Sequence, residues 1–167
     1  TSATVDLETI GSIVDTNADD QVNVLAGVIN LQAASIGSIG NALDVSAAQA
    51  LNADTSTAGG DMFLANQQGD LRVGQLRAGN VATITLDSSG QIVDANADDQ
   101  INIEAGVINL LAAGVGSIDN PLDVFAVEKV NVDTSTVGGD IFLANLQDVL
   151  RVGDLDAGVG SISLQAV

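Results

Sequence analysis

Two stretches of this chain carry side chains at a spacing that could hold a metal ion. Asp15-Thr16-Asn17-Ala18-Asp19 and Asp94-Ala95-Asn96-Ala97-Asp98 each set three oxygen-bearing side chains at alternate positions. A calcium loop opens in this way, because a hard cation needs several oxygens converged by a tight turn. The match then stops. Asp20 and Asp99 stand where such a loop turns on glycine, and the twelfth position, Ala26 or Ala105, carries no carboxylate. The alternative is a solvated corner whose Asp and Asn side chains cap their own turns. Calcium on Asp15, Asn17 and Asp19, and on Asp94, Asn96 and Asp98, therefore stands beside a purely structural reading.

Catalysis has less to work with. The 22 acidic residues are spread singly, His, Cys, Tyr and Trp are absent, and the cations are Arg72, Arg77, Lys129 and Arg151. Cleaving a sugar chain needs paired acids in a cleft, or a base beside a cationic stabiliser, so the expectation is a protein that is not an enzyme. A net charge of −18 excludes nucleic acid, whose phosphates need a basic surface. No apolar run is long enough to span a membrane. Without Cys there are no disulfides and no thiolate metal sites. Arg72 and Arg151 occupy equivalent positions and could grip a carboxylate or an acidic glycan, or pair with neighbours such as Asp70. Phe63 and Phe142 are expected to point outward, as a lateral docking stripe or as half-buried rings shielded by a corner.

The elements that would position these groups follow from repetition. Asn17-Ala18-Asp19-Asp20-Gln21 returns as Asn96-Ala97-Asp98-Asp99-Gln100, Asp54-Thr55-Ser56-Thr57 as Asp133-Thr134-Ser135-Thr136, and Leu71-Arg72-Val73-Gly74 as Leu150-Arg151-Val152-Gly153, all 79 positions on. Two copies of one long unit are the mark of a repeat array. Inside each copy an apolar–outward–apolar triplet recurs: Val5-Asp6-Leu7, Val22-Asn23-Val24, Leu43-Asp44-Val45, Met62-Phe63-Leu64, then Ile84-Thr85-Leu86. Such alternation is strand period, and Gly, Asn, Asp and Ser fill every gap with turn residues. The aliphatic content suits thin stacked layers: 46% of residues are hydrophobic but only 2% are aromatic.

These features predict an all-β, right-handed parallel β-helix of about eight rungs of roughly 20 residues. Residues 1–81 form repeat 1, 82–160 repeat 2 and 161–167 the start of a third, in one continuous solenoid. An antiparallel sandwich is the rival, but it leaves the finer period across the junction near Asn80 unexplained. Stacking is expected to put Asp6, Asn23, Asp44, Phe63, Thr85, Asn102, Asp123, Phe142 and Ser163 in one outward ladder. The Asn residues at outward slots (Asn23, Asn30, Asn52, Asn102, Asn109 and Asn131) are expected to bond rung to rung. On this assignment Val24→Asp should open the stack and Asp44→Asn should be nearly silent. The chain has no initiating Met and no signal peptide, and neither end looks capped, so it is expected to be an excerpt or a processed product.

Gly37-Ser38-Ile39-Gly40-Asn41-Ala42-Leu43-Asp44-Val45 and its counterpart Gly116-Ser117-Ile118-Asp119-Asn120-Pro121-Leu122-Asp123-Val124 carry a family resemblance. With Gly11-Ser12-Ile13-Val14-Asp15-Thr16-Asn17 and Val22-Asn23-Val24-Leu25-Ala26-Gly27, they are similar to repeats in filamentous-haemagglutinin-like, very large secreted bacterial exoproteins and adhesins. The resemblance implies a β-helical shaft in the extracellular space or on a bacterial cell surface. The implied partners are further copies of the same repeat, in the same chain or end to end in a filament, and a glycan or host surface. The expected function is a structural segment of a fibre or adhesin stalk; the alternative is a carbohydrate-binding or cation-dependent adhesive module, for which calcium would be the cofactor.

Overall fold

The computed structural model describes residues 3–17 and 19–166; Thr1, Ser2, Ala18 and Val167 lie outside the described residues. Fifteen strands and no helix are present among them: β1 Thr4–Glu8, β2 Ser12–Ile13, β3 Val24–Gln32, β4 Ser35–Ile36, β5 Leu43–Asp54, β6 Met62–Asn66, β7 Leu71–Arg77, β8 Thr83–Ser88, β9 Gln91–Asp94, β10 Ile103–Leu111, β11 Gly114–Val115, β12 Leu122–Asp133, β13 Ile141–Asn145, β14 Val152–Asp156 and β15 Ile162–Ala166. Every strand pairs in parallel, in a coil of about seven turns. The fold is a β-solenoid.

The register differs from the expected ladder. Val5 lies beside Ile29, Ile29 beside Leu51, Leu51 beside Val73 and Val73 beside Asp94. On the even-numbered strands Met62 lies beside Ile84, Ile84 beside Ile108, Ile108 beside Val130 and Val130 beside Val152. Paired residues are 21 to 27 positions apart, from Val24–Val45 to Leu76–Ile103. Val5 therefore never stacks on Ile84, its counterpart in the second copy. One 79-residue repeat makes about three and a half turns, and equivalent residues of the two copies face opposite sides of the rod. The expected ladder survives only in pairs such as Phe63–Thr85 and Phe142–Ser163. A rung of 20 residues was too short: some successive triplets pair directly, as Met62–Ile84 does, but others are offset, as Leu43–Leu64 is, or pair elsewhere, as Val5–Ile29 does, so the series does not stay in one ladder.

Aliphatic ladders fill the interior. Ile29, Leu51 and Val73 on one wall, and Met62, Ile84, Ile108 and Val130 on the other, are fully buried. Burial of this kind stabilises by about 25 cal/mol per Å² of apolar surface, and the same narrow slot in each layer explains why branched aliphatics suffice. The long strands β3, β5, β10 and β12 bend at register shifts, between Ala26 and Val28, for example, and between Ala105 and Val107. Bulges at these points let one strand leave one wall and join the next. Pairing runs on across the copy junction, through Met62–Ile84 and Leu76–Ile103.

Asparagine ladders run beside the core. Asn30 Nδ2 donates to Asp6 Oδ1 at 2.6 Å, Asn52 Nδ2 donates to Asn30 Oδ1 at 2.8 Å, and Gln75 N closes the ladder on Asn52 Oδ1 at 2.9 Å. The second copy repeats this with Thr85, Asn109, Asn131 and the Asp154 N–H. Asn23 and Asn102 also bond to the next turn, through the Asp44 and Asp123 N–H groups, but they do so at a corner and outside these side-chain ladders.

Candidate functional site

The Asp15 and Asp94 loops turn their first carboxylates inward. Asp15 Oδ1 accepts the Asn17 N–H at 2.8 Å and Asn23 Nδ2 at 3.0 Å, while Asn23 Oδ1 accepts the Asp44 N–H at 2.8 Å. In the second copy Asp94 Oδ1 accepts the Asn96 N–H at 2.8 Å and Asn102 Nδ2 at 2.7 Å, and Asn102 Oδ1 accepts the Asp123 N–H at 2.9 Å. Asn102, with no exposed surface, also donates to the Gly74 carbonyl at 3.2 Å. Each Asp–Asn pair thus ties the loop, a strand start and the next turn together. Asp19 and Asp98 cap their own turns through the Gln21 and Gln100 N–H groups, as short acceptors in turns do.

Asn17, Asp19, Asn96 and Asp98 are exposed, whereas Asp15 and Asp94 are buried. Asp15 and Asp94 spend one oxygen on the corner, and among the described residues no group of three or more acidic side chains stands close enough to hold a metal ion. The loop residues as placed do not make a calcium shell, which needs six or more converging oxygens.

The carboxylates that matter electrostatically come from the following turn. Asp44 and Asp123, expected to face solvent, are each only 4% exposed. The strand alternation assigned them outward, but that face is covered at both positions. Burial, then the charges of Asp94, Asp99 and Asp98, pushes the Asp123 carboxyl up to about 6. Burial, then Asp20, Asp15, Asp19 and Asp87, raises Asp44; burial and then Asp20 raise Asp87. A carboxylate deprived of water and set among like charges holds its proton more tightly. Asp44 Oδ1 and Asp94 Oδ2 are buried without a hydrogen-bond partner.

Asp44 opens onto a groove of about 640 Å³, lined also by Asp19, Asp20, Asp61, Phe63 and Asp87. Its rim is a two-residue hairpin in which the Ser38 N–H donates to the Asn41 carbonyl at 2.9 Å and the Asn41 N–H to the Ser38 carbonyl at 3.0 Å. Gly37 starts that hairpin at φ +63°, where a Cβ would stand 2.2 Å from the Phe63 carbonyl oxygen. Only glycine fits there. Ile39, 86% exposed, projects from the tip.

The remaining expected positions are scattered. Phe63 and Phe142 are half-buried, and the half-integer repeat puts them on opposite sides of the rod, so they share no stripe. Arg72 is exposed and Arg151 half-buried, also on opposite sides. The expected Arg72–Asp70 pair is absent: Asp70 accepts the Gln91 N–H instead, and the ion pair found among the described residues is Arg77–Glu104 at 3.9 Å. Sequence reading missed Asp44, Asp87, Asn102 and Asp123. The one available signal was the common spacing of 21 from Asn23 to Asp44 and from Asn102 to Asp123, which matches one turn of the coil.

No protein-family model, no curated protein and no solved structure matches the chain.

Proposed function

We propose that this chain is a structural repeat segment of a secreted or cell-surface bacterial fibre or adhesin stalk, of the filamentous-haemagglutinin-like kind that its Gly-Ser-Ile repeats resemble. Its role is mechanical and it is not an enzyme. One observation carries the reading: the aliphatic column and its inter-turn pairing continue without a break from one 79-residue copy into the next. A stack in which each layer touches only its neighbours gains stability and length with each added unit. Further copies of the same repeat are its natural partners, in one chain or end to end. A net charge of −18 keeps such rods apart sideways by self-repulsion.

The test is a series of proteins with one, two, three and four copies. Melting temperature should climb with copy number and level off. Electron microscopy should show rods lengthening by roughly 17 Å per copy, three and a half turns at about 4.8 Å. Stability and contour length that do not change with copy number would remove the stalk reading.

A further inference from the structure

We propose that a second copy of this chain docks head to tail on the turn made by β13 and β14, its β1 taking the place that β15 holds. This rests on the stalk reading and gives it a partner, a register and contact residues.

The contact already exists once inside the chain. Where the first copy meets the second, Met62 pairs with Ile84, Leu71 with Ile92 and Leu76 with Ile103. Backbone bonds cross the same seam. The Leu76 N–H donates to the Asn102 carbonyl at 2.7 Å, the Ala78 N–H to the Glu104 carbonyl at 2.9 Å, and the Ala95 N–H to the Val73 carbonyl at 2.8 Å. Every member of these pairs has a counterpart 79 positions away, toward one end of the coil. Ile141, Leu150 and Leu155 stand for Met62, Leu71 and Leu76; Val5, Ile13 and Val24 stand for Ile84, Ile92 and Ile103. The two ends are the two halves of one seam.

Burial picks out the same residues. Among the described residues, the aliphatics that pack against the core yet stay half-buried are Val5, Ile13, Val24, Leu150 and Leu155. Docking in the repeat's own register sets Leu150 on Ile13 and Leu155 on Val24. Their counterparts inside the chain, Leu71, Ile92, Leu76 and Ile103, have no exposed surface, and covering apolar surface is what drives such a contact. Leu25, 67% exposed, also gains a neighbour. Its counterpart Glu104 lies opposite Arg77 across the internal seam, so Leu25 would lie opposite Asp156.

One strand must give way. β15 lies on β13 through Ile141–Ile162 and Leu143–Leu164, as β8 lies on β6 through Met62–Ile84 and Leu64–Leu86. β1 is the counterpart of β8, so β1 and β15 compete for one position. β15 is held the less firmly: it is exposed along its whole length, whereas β1 sets Val5 against the core and Asp6 on Asn30 Nδ2 at 2.6 Å. The incoming β1 restores the lost pairing like for like, with Val5 on Ile141 and Leu7 on Leu143. The edge of β14 then gains a partner that it lacks, and an open strand edge is a template for such pairing.

Cross-linking tests the register. The chain has no cysteine, and facing positions on neighbouring strands lie within disulfide reach. Mixing a Leu25→Cys chain with an Asp156→Cys chain under mild oxidation should give dimers holding one chain of each kind. Ile118→Cys, on the exposed Ser117–Asn120 hairpin at the side of the rod, should give only background with the same partner. Sedimentation over a concentration series should show the unaltered chain growing in whole-chain steps, more readily at high ionic strength, because a net charge of −18 opposes contact. Leu25→Asp sets like charges face to face at the joint and should weaken association about tenfold or more. Ile118→Asp adds the same charge away from the joint and should change it less than about twofold. Both sites are exposed, and melting curves check that both variants keep the fold. The proposal is overturned by a chain that stays monomeric throughout, by equal effects of the two Asp variants, or by cross-linking no better with Leu25→Cys than with Ile118→Cys. The copy-number series separates the two claims: a melting temperature that still climbs with copy number, beside a chain that never associates, sinks the joint alone.

Discussion

Replacing Asp123 by Asn should make the protein more stable at neutral pH and flatten its pH dependence. Asp123 is 4% exposed and its carboxyl is pushed up to about 6, by burial first and then by Asp94, Asp99 and Asp98. In the unfolded chain the same group titrates near 3.8. The folded state therefore binds the proton more tightly than the unfolded state. Its contribution to stability is fully present below about pH 4 and is lost as pH rises through about 6. At 1.36 kcal/mol per pH unit the gap bounds the loss at about 3 kcal/mol. Residual hydration and the sharing of protons among four neighbouring carboxylates bring the expected value to about 1–2 kcal/mol. Asn keeps the shape, leaves the Asp123 N–H bond to Asn102 in place and removes the charge. Urea denaturation at pH 4 and pH 8 measures it: the variant should gain about 1–2 kcal/mol at pH 8 and little at pH 4. A variant that is no more stable at pH 8, or that retains the wild-type slope between the two, would refute the assignment of Asp123 as a buried, repelled carboxylate. Asp44→Asn, which the alternation marked as silent, should move stability in the same direction.

Three further outcomes follow from the packing. Gly74→Ala and Gly153→Ala should each destabilise by about 1–3 kcal/mol through overpacking. A Cβ there would stand 2.2 Å from Asn52 Oδ1 or 2.1 Å from Asn131 Oδ1, and Asn52→Ala should rescue the first in a double-mutant cycle by urea denaturation. Asn102→Ala should cost about 1–3 kcal/mol, because it leaves the Asp123 N–H unpaired and takes one of two donors from Asp94 Oδ1 in a dry site; Asn23→Ala, at the half-buried equivalent, should cost less in the same thermal melts. Leu51→Ala, at a site with no exposure, should cost about 2–5 kcal/mol, whereas Val24 is only half-buried, so Leu51→Asp opens the stack more surely than Val24→Asp.

The division between what the chain spells out and what folding adds is visible in single residues. Alternating triplets such as Val5-Asp6-Leu7 and Ile84-Thr85-Leu86 dictate strands, because side chains of a strand alternate faces wherever it lies. The glycines and Asx residues between them dictate corners, because those residues tolerate tight turns. Local chemistry was enough for the solenoid, for the Asn30–Asn52 and Asn109–Asn131 ladders, and for the capping roles of Asp19 and Asp98.

Which triplet lies over which was not written locally. Val5 and Ile84 are chemically equivalent, yet they face opposite sides, because the number of residues per turn depends on how corners and bulges pack across the core. That one quantity moved Phe63 away from Phe142 and Arg72 away from Arg151. It also brought Asp20, Asp44 and Asp87 from three turns into one groove. Burial of Asp44 and Asp123 came from the same source: strand period places a side chain on a face, but only the neighbouring segments decide whether that face meets water.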